Sequence, residues 1–148
     1  IQLAKYIGAD VITTASARNH DYVKKLGADR VIDYQKEDFA TSVSDCDVVF
    51  DMVGGDVRAG CYQVMKPGGR LVWIAGAPEG FKIPRGDVET LRPAVLRDRA
   101  HLERMNALVD AGAVWPPAIT RYKLQDAAEA HRVSESRHLQ GKLVFVVR

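Results

Sequence analysis

The sequence predicts an α/β fold, a doubly wound and mostly parallel sheet, on three observations. Short apolar or β-branched runs (VITT, DVVFDMV, RLVWI, KLVFVV) alternate with segments of helical periodicity. The DVVFDMV run is apolar without alternation, as in parallel strands covered on both faces. Glycine-bearing turns at Gly8, Gly27, Gly54-Gly55 and Lys66-Pro67-Gly68-Gly69 punctuate the runs.

The elements follow in order. Ile1, Leu3, Ala4 and Ile7 recur at helical spacing, and Gly8 stands where a C-terminal cap belongs. The opening thus reads as the back half of an amphipathic helix, with its front half expected upstream. Val11 to Thr14 form a strand, Ser16 to Asn19 a polar turn, and Tyr22 to Leu26 a short helix closed by Gly27. Val31 to Tyr34 make a second strand, followed by a polar segment from Gln35. Asp47 to Gly55 are the third strand and Asp56 to Met65 a helix; KPGG breaks the chain, and Arg70 to Gly76 are the fourth strand. Pro78 to Pro93 mix glycine, proline and charge and read as a loop. Ala94 to Ala111 carry the longest helical pattern, capped by Gly112. A strand at Ala118 to Tyr122, a helix at Leu124 to Ser134 and a last strand at Gly141 to Val147 complete the order. This succession matches the second to fifth strands of a Rossmann-type sheet plus a final strand, with the first strand and its glycine-rich turn missing from the chain.

Composition narrows the function. The 148 residues suit one domain, and 47% hydrophobic with 27% charged residues is a soluble globular balance. A net charge of +2, with basic and acidic residues interleaved, argues against a nucleic-acid partner. Cys46 and Cys61 are isolated, and His20, His101, His131 and His138 lack ligand spacing, so neither a disulfide nor a metal site is expected. No apolar run approaches the roughly 18 residues of a membrane span, and the expected setting is cytoplasmic with no membrane partner. There is no nucleophile elbow and no carboxylate pair, so no catalytic side chain is assigned. That suits hydride transfer, where the cofactor carries the chemistry.

Four stretches together carry a resemblance: VITTASARNHDYVKKLGADRVIDYQKEDF, DVVFDMVGG, MKPGGRLVWIAG and AAEAHRVSESRHLQGKLVFVV. They resemble the cofactor-binding half of the medium-chain dehydrogenase/reductase superfamily, and within it the zinc-independent NADPH:quinone oxidoreductases of the zeta-crystallin-like branch. The resemblance spans essentially residues 1–148. It implies an N-terminal GroES-like substrate domain, a first strand and an A-x-G-G-V-G turn, all expected upstream. It also implies hydride transfer from NADPH to a quinone, enone or related α,β-unsaturated carbonyl. The pyrophosphate site belongs to that upstream turn, so the 148 residues alone are expected to be inactive.

Candidate cofactor residues gather at strand ends. An acidic residue after the first strand would favour NAD through the ribose 2′-OH. Thr14, Ser16 and Arg18 stand there instead. A hydroxyl and a planar guanidinium two residues apart offer donors to a 2′-phosphate, which points to NADPH. The same residues would also serve as a polar turn with Ser16 as a helix N-cap. Val53 and Gly54 end the third strand, and Ala75 and Gly76 the fourth. Ligands of open α/β sheets lie beyond these carboxyl ends, where glycine permits close approach, although ordinary turns use the same residues. The resemblance adds Tyr34 against the adenosine and Arg137 near the adenosine phosphate.

Two other readings stand beside this one. DVVFD followed by MKPGGRLVWI also resembles the middle of S-adenosylmethionine-dependent methyltransferases. Against it, no acidic residue follows the first strand, and the final strand follows a helix rather than closing a hairpin. A non-catalytic, self-associating domain is the second, since KLVFVV is an apolar edge strand unprotected by proline. The resemblance implies a homodimer through that edge.

Overall fold

The computed structural model describes residues 1–94, 96–136 and 139–147. The chain divides into two compact units, Ile1–Leu102 and Glu103–Arg148.

In the first unit, helix α1 (Gln2–Tyr6) leads to strand β1 (Ile12–Thr14), and helix α2 (His20–Lys25) returns the chain to strand β2 (Arg30–Ile32). β1 and β2 pair in parallel, with Ile12 opposite Arg30 and Thr14 opposite Ile32. Asp29 ties their entrance together, accepting the Val11 N–H at 2.7 Å and pairing with Lys5 of α1 at 2.8 Å. The polar segment after Tyr34 contains an unexpected short helix, α3 (Phe39–Ser42). Asp38 starts it by accepting the Ala40 N–H at 2.9 Å, an N-cap bond.

Strand β3 (Cys46–Asp51), helix α4 (Val57–Gln63) and strand β4 (Met65–Trp73) form a second parallel crossover. KPGG does not separate helix from strand as expected, because β4 already begins at Met65. Cys46 faces Met65 and Val48 faces Arg70, so Lys66 to Gly69 bulge out of a ladder that continues past them. The expected loop likewise contains a strand, β5 (Glu89–Leu91), parallel to β4. Tertiary pairing recruits it rather than local propensity, and Arg70 and Glu89 form an ion pair across the ladder at 2.7 Å.

The core lies between this sheet and α4. Tyr62 and Leu71 are fully buried with Cys61, Met65 and Val88, and Phe39, Val49 and Phe81 pack against them. Burying each large side chain contributes about 1.5–3 kcal/mol. Tyr62 directs its hydroxyl to Thr90 Oγ1 at 2.9 Å, and Arg85 donates to the carbonyls of Tyr62, in the last turn of α4, and of Met65. The expectation that β3 is covered on both faces is not met. Asp51 is buried and Val49 half-buried, while Val48 and Phe50 on the alternate face are 59% and 52% exposed.

The strands form three hydrogen-bonded groups, β1–β2, β3–β4–β5, and a pair in the second unit, rather than one continuous sheet. Among the described residues, β1 and β3 each leave one edge without a ladder partner. The longest helix, α5 (Arg99–Asp110), spans the boundary between units. It begins later than its apolar pattern predicts because Asp98 accepts the His101 N–H at 2.9 Å and so caps it there. In the second unit, β6 (Ile119–Lys123) pairs in parallel with β7 (Lys142–Val146), with α6 (Ala127–Glu135) between them.

Candidate functional site

The first unit gathers the carboxyl ends of β1, β2, β3 and β4. β1 ends at Thr14, which is exposed; Ala15 and Ser16 are then buried. Ser16 occupies the N-cap position of the turn Ala17–Asn19, but its hydroxyl caps no backbone N–H. It accepts from Asn19 Nδ2 at 3.3 Å instead. Arg18 is exposed and makes no hydrogen bond or ion pair among the described residues. Its guanidinium can therefore meet an anion without first losing a protein partner.

Beyond β2, Asp33 is buried and accepts the Gln35 N–H at 3.2 Å, which turns the chain sharply. That turn leaves Tyr34 58% exposed. Thr14, Tyr34 and Val53 line one cavity of about 1010 Å³, with Lys36, Asp56 and Gln63 among its other walls. A second, more apolar cavity of about 230 Å³ lies between β1 and β3, sharing Thr14 and Val53 and adding Phe50 and Met52. The structure thus brings three of the sequence candidates to one hollow. Ser16 and Arg18 follow Thr14 on the turn after β1 without lining it, and Arg137 lies outside the described residues.

Gly54, Ala75 and Gly76 meet at the ends of β3 and β4. The Gly55 N–H donates to the Gly76 carbonyl at 2.9 Å. Gly54 has a φ of +71°, and a Cβ there would overlap the Gly76 carbonyl oxygen and fall 2.8 Å from Ala75 Cβ. Only glycine lets the two loops approach so closely.

Beneath these loops lies an ion pair that the sequence did not reveal. Asp51, the last residue of β3, and Arg58, on α4, are 3% and 2% exposed. Arg58 Nε donates to Asp51 Oδ2 at 2.5 Å, and its Nη2 donates to the Ala75 carbonyl at 2.7 Å. The guanidinium also stacks 4.6 Å from the Trp73 ring centre. Asp51 Oδ1 accepts the N–H groups of Val53 and Gly54 at 2.9 and 2.8 Å. Burial pushes the Asp51 carboxyl up, but hydrogen bonds from Gly54, Arg58 and Val53 outweigh it, so its pKa lies below the ordinary carboxylate value. The available signal was a carboxylate closing an apolar strand run, seven residues before an arginine.

Among the described residues, no three His, Cys, Asp or Glu side chains are grouped as a metal ion needs.

Residues 26–145 match the family model described as zinc-binding dehydrogenase. The chain is 33% identical to the chloroplastic NADPH-dependent alkenal/one oxidoreductase of Arabidopsis thaliana, with 97% of this chain and 36% of that protein covered. It superposes on a quinone oxidoreductase of Coxiella burnetii with a TM-score of 0.82 at 34% identity, covering 100% of this chain and 48% of that one. It matches Escherichia coli quinone oxidoreductase, solved in complex with NADPH, with a TM-score of 0.82 at 26% identity, covering 99% and 52%. The chain therefore spans between a third and about half of the length of these relatives. It belongs to the zinc-binding dehydrogenase family, within the medium-chain dehydrogenase/reductase superfamily that its sequence resembles.

Proposed function

We propose that this chain is the cofactor-binding part of a zinc-independent, NADPH-dependent reductase that passes hydride to a quinone, enone or related α,β-unsaturated carbonyl. The observation that carries the reading is the convergence of Thr14, Tyr34 and Val53 on one cavity at the strand carboxyl ends, with an exposed Arg18 four residues after Thr14. NADPH, when bound, supplies the hydride. Thr14 and Tyr34 would line the adenosine side, and Ser16 with Arg18 would hold the 2′-phosphate. Val53, Gly54, Ala75 and Gly76 would form the nicotinamide side, and Arg137 is assigned to the adenosine phosphate. The relatives, an NADPH-dependent alkenal/one oxidoreductase and quinone oxidoreductases, support this substrate class.

The reading is tested with the adenosine end of the cofactor alone. 2′,5′-ADP should bind about tenfold more tightly than 5′-AMP, and Arg18→Ala should erase the difference, because a charge-assisted bond contributes about 1.5–3 kcal/mol. Equal affinities for the two nucleotides in the unmodified chain would overturn it.

The unpaired cysteines Cys46 and Cys61 support a reducing, cytoplasmic setting. No helix among the described residues is long and apolar enough to cross a membrane. The exposed Val144 and Val146 on β7 support a homodimer formed at that strand.

A further inference from the structure

We propose that Asp51 and Arg58 are positioning residues, whose buried pair holds the Val53–Gly55 loop against Ala75–Gly76 in the single arrangement that receives the nicotinamide end of the cofactor. The proposal rests on the cofactor reading above and assigns it a control element that touches no cofactor atom.

Every bond of the pair is spent on these two loops or on itself. One Asp51 oxygen takes the Val53 and Gly54 N–H groups and the other takes Arg58. Arg58 reaches from β3's carboxylate to the Ala75 carbonyl beyond β4. The Gly55 to Gly76 bond then closes the same junction. The loops are thereby anchored from below and open above: Val53 is 69% exposed and Gly76 is exposed, whereas Gly54, Asp51 and Arg58 are buried. A pair serving stability alone gains little over apolar residues of similar volume. A pair at the last residue of a strand, bonded to both loops where ligands of such sheets sit, fixes backbone geometry at the site.

The test uses isotope-labelled chain, amide hydrogen exchange and NADPH-induced chemical shifts. The variants are Arg58→Lys, which keeps the charge but cannot span Asp51 and Ala75 together, and the double variant Asp51→Leu with Arg58→Met, which fills the volume without a buried charge. Exchange of the Gly55 amide should accelerate at least tenfold in both, while amides within β3 and β4 stay within twofold of the unmodified chain. NADPH-induced shifts at Ala75 and Gly76 should fall at least threefold, with those at Thr14 and Tyr34 retained. Unchanged Gly55 exchange, acceleration of the β3 and β4 amides in step with it, or undiminished shifts at Gly76 would overturn the proposal. If the unmodified chain ignores NADPH throughout while the Gly55 effect is present, the cofactor reading fails and the loop anchoring does not.

Discussion

Gly54→Ala tests the loop junction with a single methyl group. Gly54 sits at φ +71°, where an L-residue costs about 1–2 kcal/mol. The new Cβ would also overlap the Gly76 carbonyl oxygen and press on Ala75 Cβ at 2.8 Å, both parts of a neighbouring backbone that cannot swing aside as a long side chain can. Relief requires the loops to part, which breaks the Gly55 to Gly76 bond at a further net cost of about 0.5–1.5 kcal/mol. The sum is about 1.5–3.5 kcal/mol, a large share of the roughly 5–15 kcal/mol typical of a domain. Urea denaturation followed by tryptophan fluorescence measures it, because Trp73 stacks on Arg58 beside the junction. Gly86→Ala is the control: nothing lies within 4 Å of its Cβ position, and a neutral or slightly stabilising effect is expected. A Gly54→Ala loss under about 0.5 kcal/mol, with NADPH-induced shifts at Gly76 unaltered, would refute the reasoning.

Four other outcomes follow from the same structure. Ser16→Ala with Arg18→Ala should move cofactor preference from NADPH toward NADH by about ten- to a hundredfold, read by paired titrations, Arg18 carrying most of it because Ser16 is buried; an unchanged ratio would sink the phosphate assignment. Leu71→Ala, at a fully buried position, should cost about 2–5 kcal/mol in denaturant titration. The lowered Asp51 pKa makes its contribution to stability fully present above the ordinary value of 3.8 and lost as pH falls through the lower folded-state value; acid titration of Asp51→Asn should show a correspondingly flatter stability profile. Burial pushes the Cys61 thiol up to about 11, so a thiol reagent at pH 8 should modify it only as the chain unfolds.

Strand identity was legible where an apolar run was long enough to mark itself, as at β3, β4 and β7. β5 was not, because its three residues become a strand only through pairing with β4. KPGG carried a true turn signal, yet Met65 on its far side still pairs with Cys46, so the break is a bulge within a longer strand. The apolar β3 suggested cover on both faces, but composition cannot say what lies opposite Val48 and Phe50. At the site, strand-end reasoning singled out Thr14, Val53 and Gly54 because it depends only on where strands finish, and the resemblance added Tyr34; Thr14, Tyr34 and Val53 line one cavity. The pair Asp51 and Arg58 escaped it. Their significance lies in side-chain geometry that reaches across two loops, and a charged residue in a strand run gives no hint of its partner.

We propose that the carboxyl ends of β1 to β4 hold NADPH and recognise its 2′-phosphate. The most direct test is one labelled sample of the chain titrated in turn with NADPH and NADH to millimolar concentration. Amide shifts are expected at Thr14, Tyr34, Val53 and Gly76 with both nucleotides, and at Ser16 and Arg18 with NADPH alone. Stationary amides at these positions, or identical responses to the two nucleotides, would contradict it.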